Sequence, residues 1–150
     1  MKVNNAIQGI RRLFLDTAPI IYYVENHPNC YELTQVIFDG IDEGLLLGVT
    51  SPITLSECLV YPYKLGLIAL AQDFIYLIVD GENINFVLID EDIGNLAAQM
   101  RARYNLSLTD ALQIATAIQS NCDAFLTNDL QLKRVLSLIH ISEPTRLAEI

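Results

Sequence analysis

Short apolar runs alternate with segments of helical period along most of this chain, and that alternation constrains the fold more than any other feature. The runs fall at residues 12–16, 45–50, 84–89 and 124–127, and each reads as a short buried strand. After the first, Pro19 sits at a tolerated first-turn position of a helix, which the His-Pro-Asn stretch at 27–29 breaks. Residues 31–43 place Leu33, Val36, Ile37 and Ile41 at helical spacing. Ser51 and Pro52 start another helix, with Ser51 as cap and Pro62 as the expected end. Residues 65–79, 91–104 and 108–120 read as further helices, and Asn105 is a left-handed stop for the second of these. A short helix at 129–135 and a fifth strand at 138–141 are expected. Strands that alternate with helices imply a parallel sheet between helical layers. The domain is expected to span 1–141, and residues 142–150 form a tail that fits no element.

Length and composition bound the answer. A chain of 150 residues suffices for one domain with a full core. Apolar residues make up 52%, which excludes a disordered chain. No apolar run approaches the roughly 18–20 residues of a membrane span, and the start lacks the regions of a signal peptide. Cys30, Cys58 and Cys122 are odd in number and far apart, so free thiols in a reducing cytoplasm are expected. The net charge of −9 argues against a generic nucleic-acid binder, which should be basic. A nucleic-acid substrate would need metal ions and a few local cations to offset the repulsion. The acidic balance would suit a basic protein partner.

Four isolated acids beside apolar segments carry the chemistry: Asp16, Glu57, Asp110 and Asp129. Carboxylates near a core are costly unless paired, hydrogen-bonded or bound to metal. In parallel α/β folds the site lies beyond the carboxyl ends of the strands. Asp16 and Asp129 fall at expected strand ends, and Glu57 and Asp110 in the first turns of helices bordering the same crevice. A convergent acidic pocket of this kind suits a hard divalent cation.

Each acid also has a bland reading. Asp16 and Asp129 could be helix caps. Ser107 and Asp110 form a capping-box pattern. Glu57 could be a solvated helix acid, although Ile53, Val60 and Tyr61 lie at helical spacing to it. Their joint placement favours the functional reading. Lys133 and Arg134 follow Asp129 by about one helical turn, where they are candidates for touching a substrate phosphate or simply solvated. No GxxxxGK[ST] or GxGxxG motif is present, so phosphate-loop and dinucleotide readings fall away. His27 and His140 show no nucleophile–base arrangement.

The segments LFLDTAPIIYY at 13–23, SPITLSECL at 51–59, NLSLTDALQIATAI at 105–118 and CDAFLTND at 122–129 resemble the PIN-domain nucleases, particularly the VapC-type toxins of toxin–antitoxin pairs. The resemblance implies a three-layer α/β/α sandwich around a parallel sheet of four to five strands. It implies that Asp16, Glu57, Asp110 and Asp129 gather around Mg²⁺ or Mn²⁺, with the Thr127 hydroxyl behind them. It implies hydrolysis of RNA phosphodiester bonds in the cytoplasm, homodimers and a small antitoxin partner. The rival readings are a non-catalytic PIN-like binding module and a housekeeping RNA-processing nuclease. An aspartyl-phosphate phosphatase would need a second Asp two residues after Asp16, where Ala18 stands.

Overall fold

A computed structural model of the chain describes residues 9–28, 31–129 and 132. Among these residues four strands, β1 (Arg12–Leu15), β2 (Leu47–Thr50), β3 (Ile84–Phe86) and β4 (Ala124–Leu126), form one parallel sheet in the order β3-β2-β1-β4. Six helices connect them: α1 (Thr17–Val24), α2 (Tyr31–Asp42), α3 (Pro52–Leu65), α4 (Ile68–Asp80), α5 (Glu91–Tyr104) and α6 (Leu108–Gln119). The expected fifth strand, the helix at 129–135 and the tail at 142–150 lie outside the described residues, apart from Asp129 and Leu132.

The period-2 alternation of β1 divides the core. Leu13 and Leu15 point into one cluster with Ile20 of α1, Ile37, Phe38 and Ile41 of α2, Cys58 of α3, and Phe74 and Ile78 of α4. Phe14 points the other way, into a cluster with Val49, Phe125, Ile93 and Ala97 of α5, and Ala111, Ile114, Ala115 and Ala117 of α6. The result is the expected α/β/α sandwich, with α1–α4 on one face of the sheet and α5 and α6 on the other. Phe14 and Phe125 stack at 4.7 Å between ring centroids. Burying each such side chain contributes about 1.5–3 kcal/mol. No helix among the described residues is long and apolar enough to cross a membrane.

Local signals set most of the ends. Ser51 caps α3 by accepting from the N–H groups of Ile53 and Thr54, and Asp90 caps α5 by accepting from Ile93 N–H. Asn105 closes α5 in the left-handed conformation, at φ 55°. Three expectations need correction. Pro62 does not end α3; it is buried inside the helix, which runs on to Leu65 and stops at Gly66, at φ 69°. The run at 45–50 becomes a strand only from Leu47. The third run is strand only as far as Phe86.

The winding order fixes where a site can lie. The chain moves outward from β1 through β2 to β3, then returns to lay β4 on the other side of β1. The carboxyl ends of β1 and β4 therefore flank the point where the winding reverses, which is where parallel α/β sheets leave a crevice.

Candidate functional site

Asp16 is the first residue beyond β1, and its backbone N–H donates to Leu126 O at 3.1 Å, carrying the β1–β4 pairing one step past the strands. Its side chain then caps α1. Oδ1 accepts from Thr17 N–H at 2.9 Å, and Oδ2 accepts from the Thr127 hydroxyl at 2.8 Å. The cap reading thus holds for this residue, and the same carboxyl stands at the reversal point of the sheet. Thr127, fully buried just beyond β4, also accepts from Asp129 N–H at 3.1 Å. One hydroxyl therefore ties the acid after β1 to the backbone of the acid after β4. Asn128, between them, donates to the Tyr22 hydroxyl of α1 at 2.7 Å.

Glu57 approaches from α3. It lies in the second turn of that helix, not the first, and its Oε1 accepts from the Thr17 hydroxyl at 2.6 Å. Its helix face differs from expectation. Thr54, Cys58 and Pro62 form the buried stripe of α3, while Glu57, Val60 and Tyr61 are exposed. Asp110 stands in the first turn of α6, half-buried, with its N–H donating to the Ser107 hydroxyl at 3.2 Å. That bond is the Ser-side half of the expected capping box.

The acids feel one another. Burial pushes the Asp16 carboxyl above its ordinary value of 3.8; the charges of Glu57 and Asp110 push it the same way, while the bonds from Thr127 and Thr17 pull it back. Burial also raises Asp110, helped by the charges of Asp129 and Glu57 and opposed by Ser107. Asp16, Glu57, Asp110 and Asp129 are thereby linked in one negative field. It reaches Cys58, whose thiol is pushed up to about 12 by burial first and then by Glu57 and Asp16.

The donor set fits a hard cation. All four groups are carboxylates, the oxygen ligands that Mg²⁺ and Mn²⁺ prefer. Among the described residues, no three acidic, His or Cys side chains are drawn close enough to form a finished ligand cage. The arrangement is an open edge of like charges. Two clefts of about 500 and 480 Å³ lie at the opposite end of the sheet, around Ile10 and Asp39 and around Arg12 and Asn83, and none of the four acids lines either. Lys133 and Arg134 lie outside the described residues.

Sequence reasoning overlooked the groups that hold the acids. Thr17 was passed over, and so was Gln113, a polar residue in the apolar stretch 111–117. That interruption was the available signal. Gln113 is 2% exposed and bridges Ser51 and Thr54 of the α3 start.

A family model described as "PIN domain" matches residues 13–136 of the chain. No curated protein matches the sequence. Among solved structures, the chain is similar to one from a toxin–antitoxin complex of Klebsiella pneumoniae, with 22% identity, a TM-score of 0.60, and coverage of 78% of this chain and 86% of that one. It is also similar to VapC20 of Mycobacterium tuberculosis, a sarcin–ricin-loop-cleaving toxin, at 13% identity and a TM-score of 0.68, covering 82% and 94% of the two chains. A third likeness is to VapBC2 from Rickettsia felis, bound to a DNA fragment from their promoter, at 18% identity and a TM-score of 0.64, covering 83% and 92%. At these identities the likeness is one of fold.

Proposed function

This chain belongs to the PIN domain family, and from that premise we propose that it is a Mg²⁺- or Mn²⁺-dependent ribonuclease acting as the toxin of a toxin–antitoxin pair. One observation carries the proposal. Asp16 is fixed at the reversal point of the sheet by Thr127 and Thr17, and it shares a negative field with Glu57 and Asp110.

The roles follow from placement. Asp16, Asp110 and Asp129 would hold the cation, directly or through water. Bound there, the cation supplies a Lewis acid for the phosphate and lowers the pKa of water. Glu57 is the most exposed of the four and the farthest along its helix, so it completes the ligand set or orients the attacking water. The Thr127 hydroxyl keeps the Asp16 carboxylate aimed. Lys133 and Arg134 are proposed to touch substrate phosphate. The open carboxylate edge suits a polymer better than an enclosed small molecule.

The fold neighbours support the biological half of the reading. Two come from toxin–antitoxin assemblies, and the third is a toxin that cuts the sarcin–ricin loop. A net charge of −9 favours a basic antitoxin as partner. A homodimer in the cytoplasm is part of the same proposal.

The test is cleavage of a structured RNA with Mg²⁺, with Mn²⁺ and with EDTA, beside Asp110→Asn. Cutting that needs metal and disappears in the variant supports the proposal. Cutting that persists in EDTA, or in Asp110→Asn at the wild-type rate, refutes the assigned site. If nothing is cut and no metal binds by calorimetry, the chain is a binding module.

A further inference from the structure

Gln113 occupies a position where burial alone favours a hydrocarbon. It is 2% exposed on α6, between Ala111, Ile114, Ala115 and Ala117, all of which are buried. An amide in such company is costly unless every polar atom is used. Here the nitrogen and the oxygen each have a partner, and both partners lie at the start of α3. The Gln113 Nε2–H donates to Thr54 Oγ1 at 2.7 Å, and its Oε1 accepts from the Ser51 hydroxyl. Thr54 in turn donates to Leu15 O at 3.4 Å. The Leu15 carbonyl is a pure acceptor, so it fixes the sense of the whole chain of bonds, including the orientation of the amide.

Three members of this network each adjoin an acid. Leu15 precedes Asp16. Thr54 lies one helical turn before Glu57 on α3, and Gln113 one turn after Asp110 on α6. α3 and α6 belong to opposite layers of the sandwich, and Gln113 joins them across the carboxyl edge of the sheet. A Leu or Met at this position would fill the space without fixing the rotation or slide of one helix on the other. From this juxtaposition we infer that Gln113 is a positioning residue, which sets the separation of Glu57 and Asp110 and thereby the affinity of the edge for a divalent cation. The inference rests on the metal-nuclease reading.

The test uses Mn²⁺ binding measured by calorimetry, alongside kcat and KM for RNA and thermal denaturation. Three forms of the full chain are compared: wild type, Gln113→Met, and the double variant Gln113→Met/Thr54→Val. The single variant leaves buried hydroxyls without their amide and loses stability. The double variant removes both partners of the bond and recovers much of that stability. A residue that only stabilises the core recovers Mn²⁺ affinity in step. A positioning residue does not: Mn²⁺ binding stays about 10–100-fold weaker, and kcat falls with it while KM changes little. Wild-type Mn²⁺ affinity in the double variant overturns the positioning role alone, and that variant decides the matter even if the single one does not fold. A wild-type chain that binds no Mn²⁺ overturns the metal-nuclease reading and this inference together.

Discussion

Replacing Thr127 by Val keeps the shape of a fully buried side chain and deletes one hydroxyl that makes two bonds. One bond is donated to Asp16 Oδ2 at 2.8 Å, and the other is accepted from Asp129 N–H at 3.1 Å. A bond to a charged group contributes about 1.5–3 kcal/mol and a neutral one about 1 kcal/mol. Asp16 is only partly buried, so water replaces some of the loss. The expected cost at neutral pH is about 2 kcal/mol, or a fall of roughly 4–8 °C in Tm for a chain of this size. The cost depends on pH in a fixed direction. The Thr127 bond is the foremost influence holding the Asp16 carboxyl down against burial, so the variant raises that carboxyl further above 3.8. A folded-state pKa above the unfolded value means stability that is full below the unfolded pKa and lost as pH rises through the folded pKa. The variant loses more of it. The difference between the two proteins is therefore greatest at pH 8 and shrinks as Asp16 becomes protonated in both. The loss at Asp129 N–H, about 1 kcal/mol, then remains, together with the weaker bond to the uncharged Asp16 carboxyl. Urea denaturation of both proteins in EDTA at pH 8 and pH 3.5, below the ordinary value of 3.8, measures this, with Thr127→Ser as the control that keeps the hydroxyl. A cost equal at both pH values, or Thr127→Ser behaving like Thr127→Val, refutes the account.

Asp110→Asn should lower metal-dependent cleavage by about 100-fold or more and raise the stability of the metal-free protein. Its folded pKa is raised, so the charged form costs stability at pH 7; for a half-exposed group the gain is about 0.5 kcal/mol, or 1–2 °C in Tm, and a fall in Tm counts against the shared negative field. Asp123→Ala should act in the opposite sense. Its carboxylate accepts from Arg12 N–H and Arg11 N–H, both at 2.9 Å, and these bonds hold its pKa below 3.8. The variant should lose about 1 kcal/mol at pH 7, and the loss should fade as pH falls through the folded pKa; a pH-independent loss in denaturation curves speaks against this link. Gly66→Ala meets no atom within 4 Å at the new Cβ but keeps φ at +69°. Its cost of about 1 kcal/mol is then purely conformational, and an unchanged Tm shows that the end of α3 relaxes.

Caps and turns were legible because their causes are local. Ser51 and Asn105 act on their own backbone within a few residues, and the structure agrees with each. The face of α3 was not legible. Its buried stripe contains Thr54 and Pro62, while Val60, Tyr61, Tyr63 and Leu65 are exposed, so apolar periodicity pointed to the wrong side. Pro62 was misread for a related reason. A helix interior normally rejects proline, but here packing of the ring and the Gly66 stop, with Leu67 N–H donating to Pro62 O at 2.8 Å, offset the missing donor. Asp16 and Asp129 were placed beyond strand ends, a topological signal that survives errors of a residue or two, and both do lie just past β1 and β4. The residues that aim them were missed because a Thr or Gln gains its meaning only from partners distant in sequence, such as the 59 positions between Thr54 and Gln113.

Those aiming residues share a chemistry. Asp16 is held by Thr127, Glu57 by Thr17, Asp110 through its backbone by Ser107, and the Asp129 backbone again by Thr127. An ionised carboxylate only accepts hydrogen bonds, so like acids cannot hold one another. An Arg or Lys would orient them but would also cancel their charge and lower their pKa. Among the described residues, the influences on Asp16 and Asp110 are burial, neutral donors and other acids, with no cation among them. Hydroxyls fix direction and leave the charge intact. The edge consequently keeps its repulsion, which costs stability in the bare protein and which, on the proposed chemistry, a divalent cation would relieve. On the proposed chemistry, the same unrelieved charge is the source of the metal affinity. Substitutions that ease the repulsion should therefore stabilise the bare protein and weaken its hold on the cation together.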